Sequence, residues 1–257
     1  MTFNIKAKTL FVFSHPNHEL ASFGLLQKMR PTLVFLTDGG GEKRINETRK
    51  GLEYLGLEDR AIFLPYTEQS FYDALLKVNA GFFYGVSSEL RTVIHSDKPE
   101  QILCDAVEYY NPVHDISLPL VSSAADEAWE KVFEVPLIYQ KSGFPPESFG
   151  VQCAPEGQEG VTEIPLSPKE SDSKRHALQN IYTILRDTMG ALLLSSPKAL
   201  ERETIFKATS PLRWPEHGRA LRYERRAREL MAKGEISEQI THDYHYISIV
   251  SNLIGIA

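Results

Sequence analysis

Four short apolar runs recur along the first part of the chain, at residues 9–13, 32–37, 61–65 and 101–107, and each is followed by a stretch with helical spacing. Runs such as Leu10-Phe-Val-Phe13 and Leu33-Val-Phe-Leu36 are apolar without alternation, so both faces of the strands they form must be covered. Strands that alternate with helices imply parallel pairing, because only a crossover returns the chain to the same edge. A fifth strand is expected over Val135–Tyr139. The expected fold class is therefore α/β: a Rossmann-like, mostly parallel sheet with helices on both faces, with its core at residues 8–140 and a C-terminal extension at 141–257. The whole of 1–257 is read as one domain, in which the extension shapes a pocket.

The first strand stops at Ser14-His15-Pro16, and Pro16 lacks the amide that a continuing central strand needs. Leu20, Phe23, Leu25 and Met29 then imply a helix from about Asn17. Two histidines, His15 and His18, thus fall at the carboxyl end of a buried strand, where ligands bind in open α/β sheets. Such a pair can share a metal, or it can be two surface histidines. The second strand ends in Asp38-Gly-Gly-Gly41, which matches neither the dinucleotide fingerprint nor a Walker loop; a turn that brings substrate close to backbone is the alternative. Arg44 and Glu47 share a helix face, as a surface ion pair or beside that loop. The fourth strand leads into Asn111-Pro-Val-His114-Asp115, so a third histidine follows another strand end.

Beyond residue 140 the texture changes. Residues 141–173 are rich in Pro, Gly, Ser and Glu and read as loops near the carboxyl edge of the sheet. A helix is expected over 174–189 with His176 at its surface, and a polar loop holds Trp214 and His217. A basic helix spans 220–233; its Arg222, Arg225, Arg226 and Arg228 read as a solvated face, with anion binding as the alternative. Residues 241–250 alternate like an extended strand.

A net charge of −6 does not suit a nucleic-acid partner, and no apolar run reaches the roughly 20 residues of a membrane span. The start lacks a secretory apolar stretch, so a soluble, cytoplasmic protein is expected. Of the two cysteines, Cys104 lies in an apolar strand and reads as a small buried hydrophobe. Oligomeric state is not legible.

His15-Pro16-Asn17-His18-Glu19, Thr37-Asp38-Gly39, Arg44-Ile-Asn-Glu47, Leu55-Gly56 and Asn111-Pro112-Val113-His114 occur in the order and at the spacing of the PIG-L/LmbE-like metal-dependent N-deacetylases, which the chain resembles over residues 8–125. That family's first motif reads His-Pro-Asp-Asp-Glu and its last His-Pro-Asp-His. The resemblance implies zinc held by His15, His18 and His114, with Asp38, Arg44 and Glu47 at the substrate. The family's aspartate ligand is His18 here, itself a good zinc ligand, and a set of three neutral imidazoles also accepts Fe2+ or Ni2+. The family's base is Asn17, which cannot accept a proton. Its second acid–base histidine is Asn111, and that histidine's aspartate partner is Val113. Asp115 and Glu19 are the nearest carboxylates to take over the base, with Asn111 donating to an oxyanion. The implied activity is hydrolysis of an amide in a small molecule, an N-acylated amino sugar or related amine. The alternatives are a catalytically silent member that binds a ligand or partner, and changed chemistry on the same three histidines.

Overall fold

The computed structural model describes residues 2–140, 149–215 and 221–256. In chain order its strands are β1 (Thr9–Phe13), β2 (Thr32–Phe35), β3 (Ala61–Phe63), β4 (Gln101–Asp105), β5 (Val132–Val135), β6 (Ile138–Gln140), β7 (Phe149–Val151), β8 (Thr162–Pro165) and β9 (Arg202–Lys207). The helices are α1 (Phe23–Met29), α2 (Glu42–Leu55), α3 (Glu68–Leu76), α4 (Ala80–Asp97), α5 (Pro112–Asp115), α6 (Ser117–Ala125), α7 (Pro168–Asn180), α8 (Met189–Ser195), α9 (Pro197–Glu201), α10 (Arg222–Ala232) and α11 (Ile247–Leu253).

The main sheet has seven strands in the order β3-β2-β1-β4-β5-β9-β8. Its first five are parallel, as the alternation requires. β9 and β8 complete it antiparallel. Side chains of β1 alternate between two cores: Leu10 and Val12 pack with residues of α3, α4, α6 and α11, while Phe11 and Phe13 pack with those of α1, α2, α7 and α9. Both faces are therefore covered, which is why these strands carry no polar alternation. From β1 the chain winds outward to β2 and β3, then returns across to β4. The crevice between the carboxyl ends of β1 and β4 is thus the point where strand order reverses.

Several expectations need correction. The fifth strand is shorter and earlier: β5 ends at Val135, Pro136 breaks it, and β6 pairs with β7 in a separate two-stranded sheet. Within the expected loop region, β8 joins the main sheet and α7 already begins at Pro168. Its start is a capping box, in which Ser167 accepts from the Glu170 amide and the Glu170 carboxylate accepts from the Ser167 amide. The segment after Thr241 is not extended. A π-helical turn at His242–Tyr246 runs into α11, and Tyr246, Ile249, Val250 and Leu253, all buried, follow helical spacing. His176 is exposed, with its ring stacked on Tyr54. Both cysteines are free, Cys104 being buried. Residues 141–148 of the loop region, and His217, lie outside the described residues.

One buried ion pair ties the C-terminal part to the histidine loop. Lys174 is fully buried, and its ammonium donates to the Glu203 carboxylate at 2.9 Å, to Gln152 Oε1 at 2.8 Å and to the Ala21 carbonyl at 2.8 Å. Glu203 also accepts the amides of Gly24 and Leu25 at the start of α1, at 2.9 and 2.7 Å. All three ammonium donors are used, so removing the cation leaves a buried carboxylate uncompensated. Lys174→Met should therefore lower unfolding stability by about 3–5 kcal/mol in a urea titration; a loss under about 1 kcal/mol, as at an exposed pair, would refute this account.

Candidate metal centre and its pocket

β1 delivers Ser14 and His15 to the carboxyl edge, and the chain turns sharply there. Asn17 takes a left-handed conformation, φ 79°, which asparagine tolerates better than most residues. Its side chain faces away from the crevice and fixes the turn: Nδ2 donates to Glu47 Oε2 at 3.1 Å, and the Asn17 amide donates to the Thr48 hydroxyl oxygen at 2.9 Å. A 3-10 turn from His18 to Ser22 then brings His18 back over His15, ring centroids 3.9 Å apart. Gly39, at φ 63°, makes close packing possible beneath, because a Cβ there would come within 3.0 Å of the His15 Cβ.

The third histidine arrives from β4. Asn111 caps α5, its Oδ1 accepting from the Val113 amide at 2.9 Å and from the Tyr72 hydroxyl at 3.1 Å. Asn111 Nδ2 is thereby left to donate elsewhere. His114, in α5, meets His15 with their Nε2 atoms 2.8 Å apart. One potential ligand atom from each of His15, His18 and His114 lies within 4.8 Å of the others, and all three residues are buried.

The rings are held in different ways. His18 Nδ1 lies 2.8 Å from Asp105 Oδ2, and a carboxylate oxygen only accepts, so Nδ1 carries a proton and Nε2 is the nitrogen left for a ligand. His15 Nδ1 lies 3.1 Å from the Pro16 carbonyl and 3.1 Å from Arg44 Nη1. The carbonyl demands a proton on Nδ1 and the guanidinium demands a lone pair, so the tautomer with Nε2 free is the one bonded to Pro16. His114 Nδ1 is buried with no hydrogen-bond partner among the described residues. Burial pushes the His15 and His114 imidazoles well below their ordinary pKa, and repulsion from neighbouring histidines adds to it. Burial thus favours the neutral form at His15 and His114, and neutral imidazoles with converging nitrogens are what a zinc-like ion requires. The donor set therefore fits a divalent metal.

Around the three rings lies a cavity of about 700 Å³, bordered by Arg44, Glu68, Tyr110, Asn111, Asp187, Met189, Leu192 and Arg222. Of its two carboxylates, Glu68 and Asp187, Glu68 is the one with a contact to the rings, Oε1 lying 4.0 Å from His15 Nε2. Burial raises the Glu68 carboxyl pKa, against the opposing pull of Arg44 and a hydrogen bond with Asn111. The sequence reading did not single this residue out. Its backbone is anchored by Asp38, whose Oδ1 accepts the Glu68 amide at 2.9 Å and the Gly40 amide at 3.0 Å. Asp38 thus shapes the rim through α3. Arg44 borders the cavity, as does Arg222 of the basic helix, whose guanidinium lies 4.0 Å over the Tyr110 ring.

The other sequence candidates lie deeper. Glu47 accepts from the Thr183 amide at 2.9 Å, the Thr183 hydroxyl at 2.6 Å and the Ile184 amide at 3.1 Å, binding the C-terminal part to α2. Glu19 is fully buried and accepts from the hydroxyls of Thr48 at 2.6 Å and Tyr182 at 2.8 Å. Asp115 accepts the amides of Glu108 and Tyr109 at 2.8 and 3.2 Å, and burial pushes its carboxyl up to about 7. None of Asn17, Glu19, Glu47 and Asp115 borders the cavity.

No family model and no curated protein matches this sequence. Known structures do match. The A40926 pseudoaglycone deacetylase Dbv21 superposes with a TM-score of 0.54 at 14% identity, over 80% of this chain and all of its own. A deacetylase–teicoplanin complex of the teicoplanin biosynthesis pathway gives 0.53 at 10% identity, over 77% and 96%. The conserved protein TT1542 of Thermus thermophilus gives 0.51 at 16%, over 83% and 100%. The chain has the fold of these three proteins, two of which are named as deacetylases. At such identities the deacetylase fold is what the likeness establishes. On this version of the fold the crevice between β1 and β4 carries three histidines and Glu68. Among the described residues no helix is long and apolar enough to cross a membrane.

Proposed function

We propose that the chain is a divalent-metal-dependent amide hydrolase that removes an acyl group from an amino sugar or related amine. The observation that carries this reading is the cluster of His15, His18 and His114 at the carboxyl ends of β1 and β4, with the Glu68 carboxylate beside it. The naming of two structural neighbours as deacetylases supports it. His15, His18 and His114 would hold zinc, or Fe2+ or Ni2+ in its place. Such an ion supplies a Lewis acid for an amide carbonyl and acidifies a water.

The chain's own groups do the rest. Glu68 Oε1 takes the proton of the attacking water and returns it to the leaving nitrogen, a role its partly buried position suits. Asn111 Nδ2 donates to the carbonyl oxygen as charge develops on it. Arg44 and Arg222 offer donors for substrate hydroxyl or anionic groups, and Asp187, Thr188 and Ser195 offer polar contacts on the opposite wall. Met189 and Leu192 cover apolar parts of the substrate and exclude water.

The test is metal removal. Dialysis of the purified protein against a chelator should bring hydrolysis of a panel of N-acetylated amino sugars to background, and adding back a divalent ion should restore it. Turnover that survives in protein shown by elemental analysis to be metal-free, or no turnover of any amide by fully loaded protein, would defeat the reading.

A further inference from the structure

Asp105 ends β4 and is fully buried directly behind His18. Its Oδ2 receives two hydrogen bonds, from the Ser14 amide at 2.7 Å and from His18 Nδ1 at 2.8 Å. Its Oδ1 is buried with no hydrogen-bond partner among the described residues. Among the described residues Asp105 has no ion-pair partner besides His18. A buried carboxylate in that condition is costly, and proteins keep such groups where they are paired or serve a metal. The Ser14 amide alone does not account for it, since any neutral acceptor would satisfy one N–H. The Ser14 hydroxyl, 3.2 Å from the same His18 nitrogen, is the more distant partner. What a neutral group could not supply is a fixed negative charge immediately behind a ring whose other nitrogen faces the cluster.

We infer that Asp105 is the positioning residue of the three-histidine centre: it locks His18 with the Nε2 lone pair turned to the ion, and its charge sets the centre's affinity for a dication. This rests on the metal reading above. The arrangement is that of a ligating imidazole whose far nitrogen is held by a carboxylate, which orients the ring and raises its basicity. It also supplies a compensating charge in a donor set that is otherwise neutral.

The test measures Zn2+ binding by competition with a chromophoric chelator, on the metal-stripped full chain, without any turnover assay. Asp105→Asn keeps an oxygen able to accept both N–H groups and removes the charge; its affinity for Zn2+ should fall about 10–100-fold. Asp105→Ala removes both, and long-range 1H–15N spectra of the metal-free chain should show His18 leaving the Nδ1–H form that the parent displays. Urea titrations establish that each variant is folded, and Asp105→Asn carries the test if Asp105→Ala is not. An Asp105→Asn protein that binds Zn2+ as tightly as the parent overturns the inference, as does an unchanged His18 tautomer in folded Asp105→Ala. A parent that takes up no Zn2+ removes the metal reading and this inference together. The expected drop in affinity, found in a protein that hydrolyses no amide, would uphold this inference and remove the hydrolase reading alone.

Discussion

Replacing His18 with alanine should take the zinc content of purified protein from about one ion per chain to none, because two imidazoles are too few donors for a stable site. Hydrolysis should fall to the rate of the free ion in solution. A third effect is independent of metal. His18 donates to Asp105, and without it the carboxylate keeps the Ser14 amide alone. Losing a hydrogen bond to a buried charged group should lower the stability of the metal-free chain by about 1.5–3 kcal/mol. Elemental analysis, an amide assay and a urea titration read the three effects separately. Retention of zinc by a folded His18→Ala protein would place the ion elsewhere and remove the centre described here.

Glu68→Gln should lower kcat by roughly 10²–10⁴, or about 3–5 kcal/mol of barrier, with zinc content and KM little changed. Glutamine preserves the side chain's size and its neighbours Asn111 and Arg44 but cannot accept the proton. The controls are Glu19→Gln and Asp115→Asn. Both carboxylates are fixed by hydrogen bonds away from the cavity, so these changes should alter folding stability while leaving kcat within about tenfold of the parent. If Glu68→Gln retains full kcat while either control loses more than that, the base is one of the residues that sequence order pointed to. Glu68 would then be a contributor to pocket charge only.

The parallel half of the sheet was legible because its strands are apolar on both sides and separated by helical spacing. The three histidines were legible as two strand-end motifs in a familiar order. Glu68 and Asp105 were not, for physical reasons. Asp105 lies inside the run 101–107, which reads as one strand; its meaning comes from the β1–β4 register, which aligns Val12 with Cys104 and so brings Asp105 within reach of the Ser14 amide. Glu68 follows Pro65 in an aromatic stretch, and only the anchoring of its backbone by Asp38 turns it toward the histidines. The start of α7 was readable in principle, since Ser167-Pro-Lys-Glu170 is a capping-box pattern, but it lay within a stretch whose composition reads as loop. Near the C-terminus, alternation over 241–250 competed with the helical spacing of Tyr246, Ile249, Val250 and Leu253, and packing against α4 and α6 decided for the helix. Arg222 was counted with the solvated charges of its helix, though it sits at the first turn, where the helix meets the cavity.

The adjacency of β1 and β4 also governs when the centre comes into being. His15 and His114 touch across 99 positions of chain, and the segment between them includes β2, β3 and the helices that cover them. Closing so long a loop is entropically slow and depends on the intervening layers packing first. A nascent chain that has not reached His114 carries two histidines on a turn with nothing opposite them. The cluster is therefore a late product of folding. An ion held there would not guide the chain to its topology; it would act on the finished molecule, favouring the native state by mass action and lengthening its lifetime.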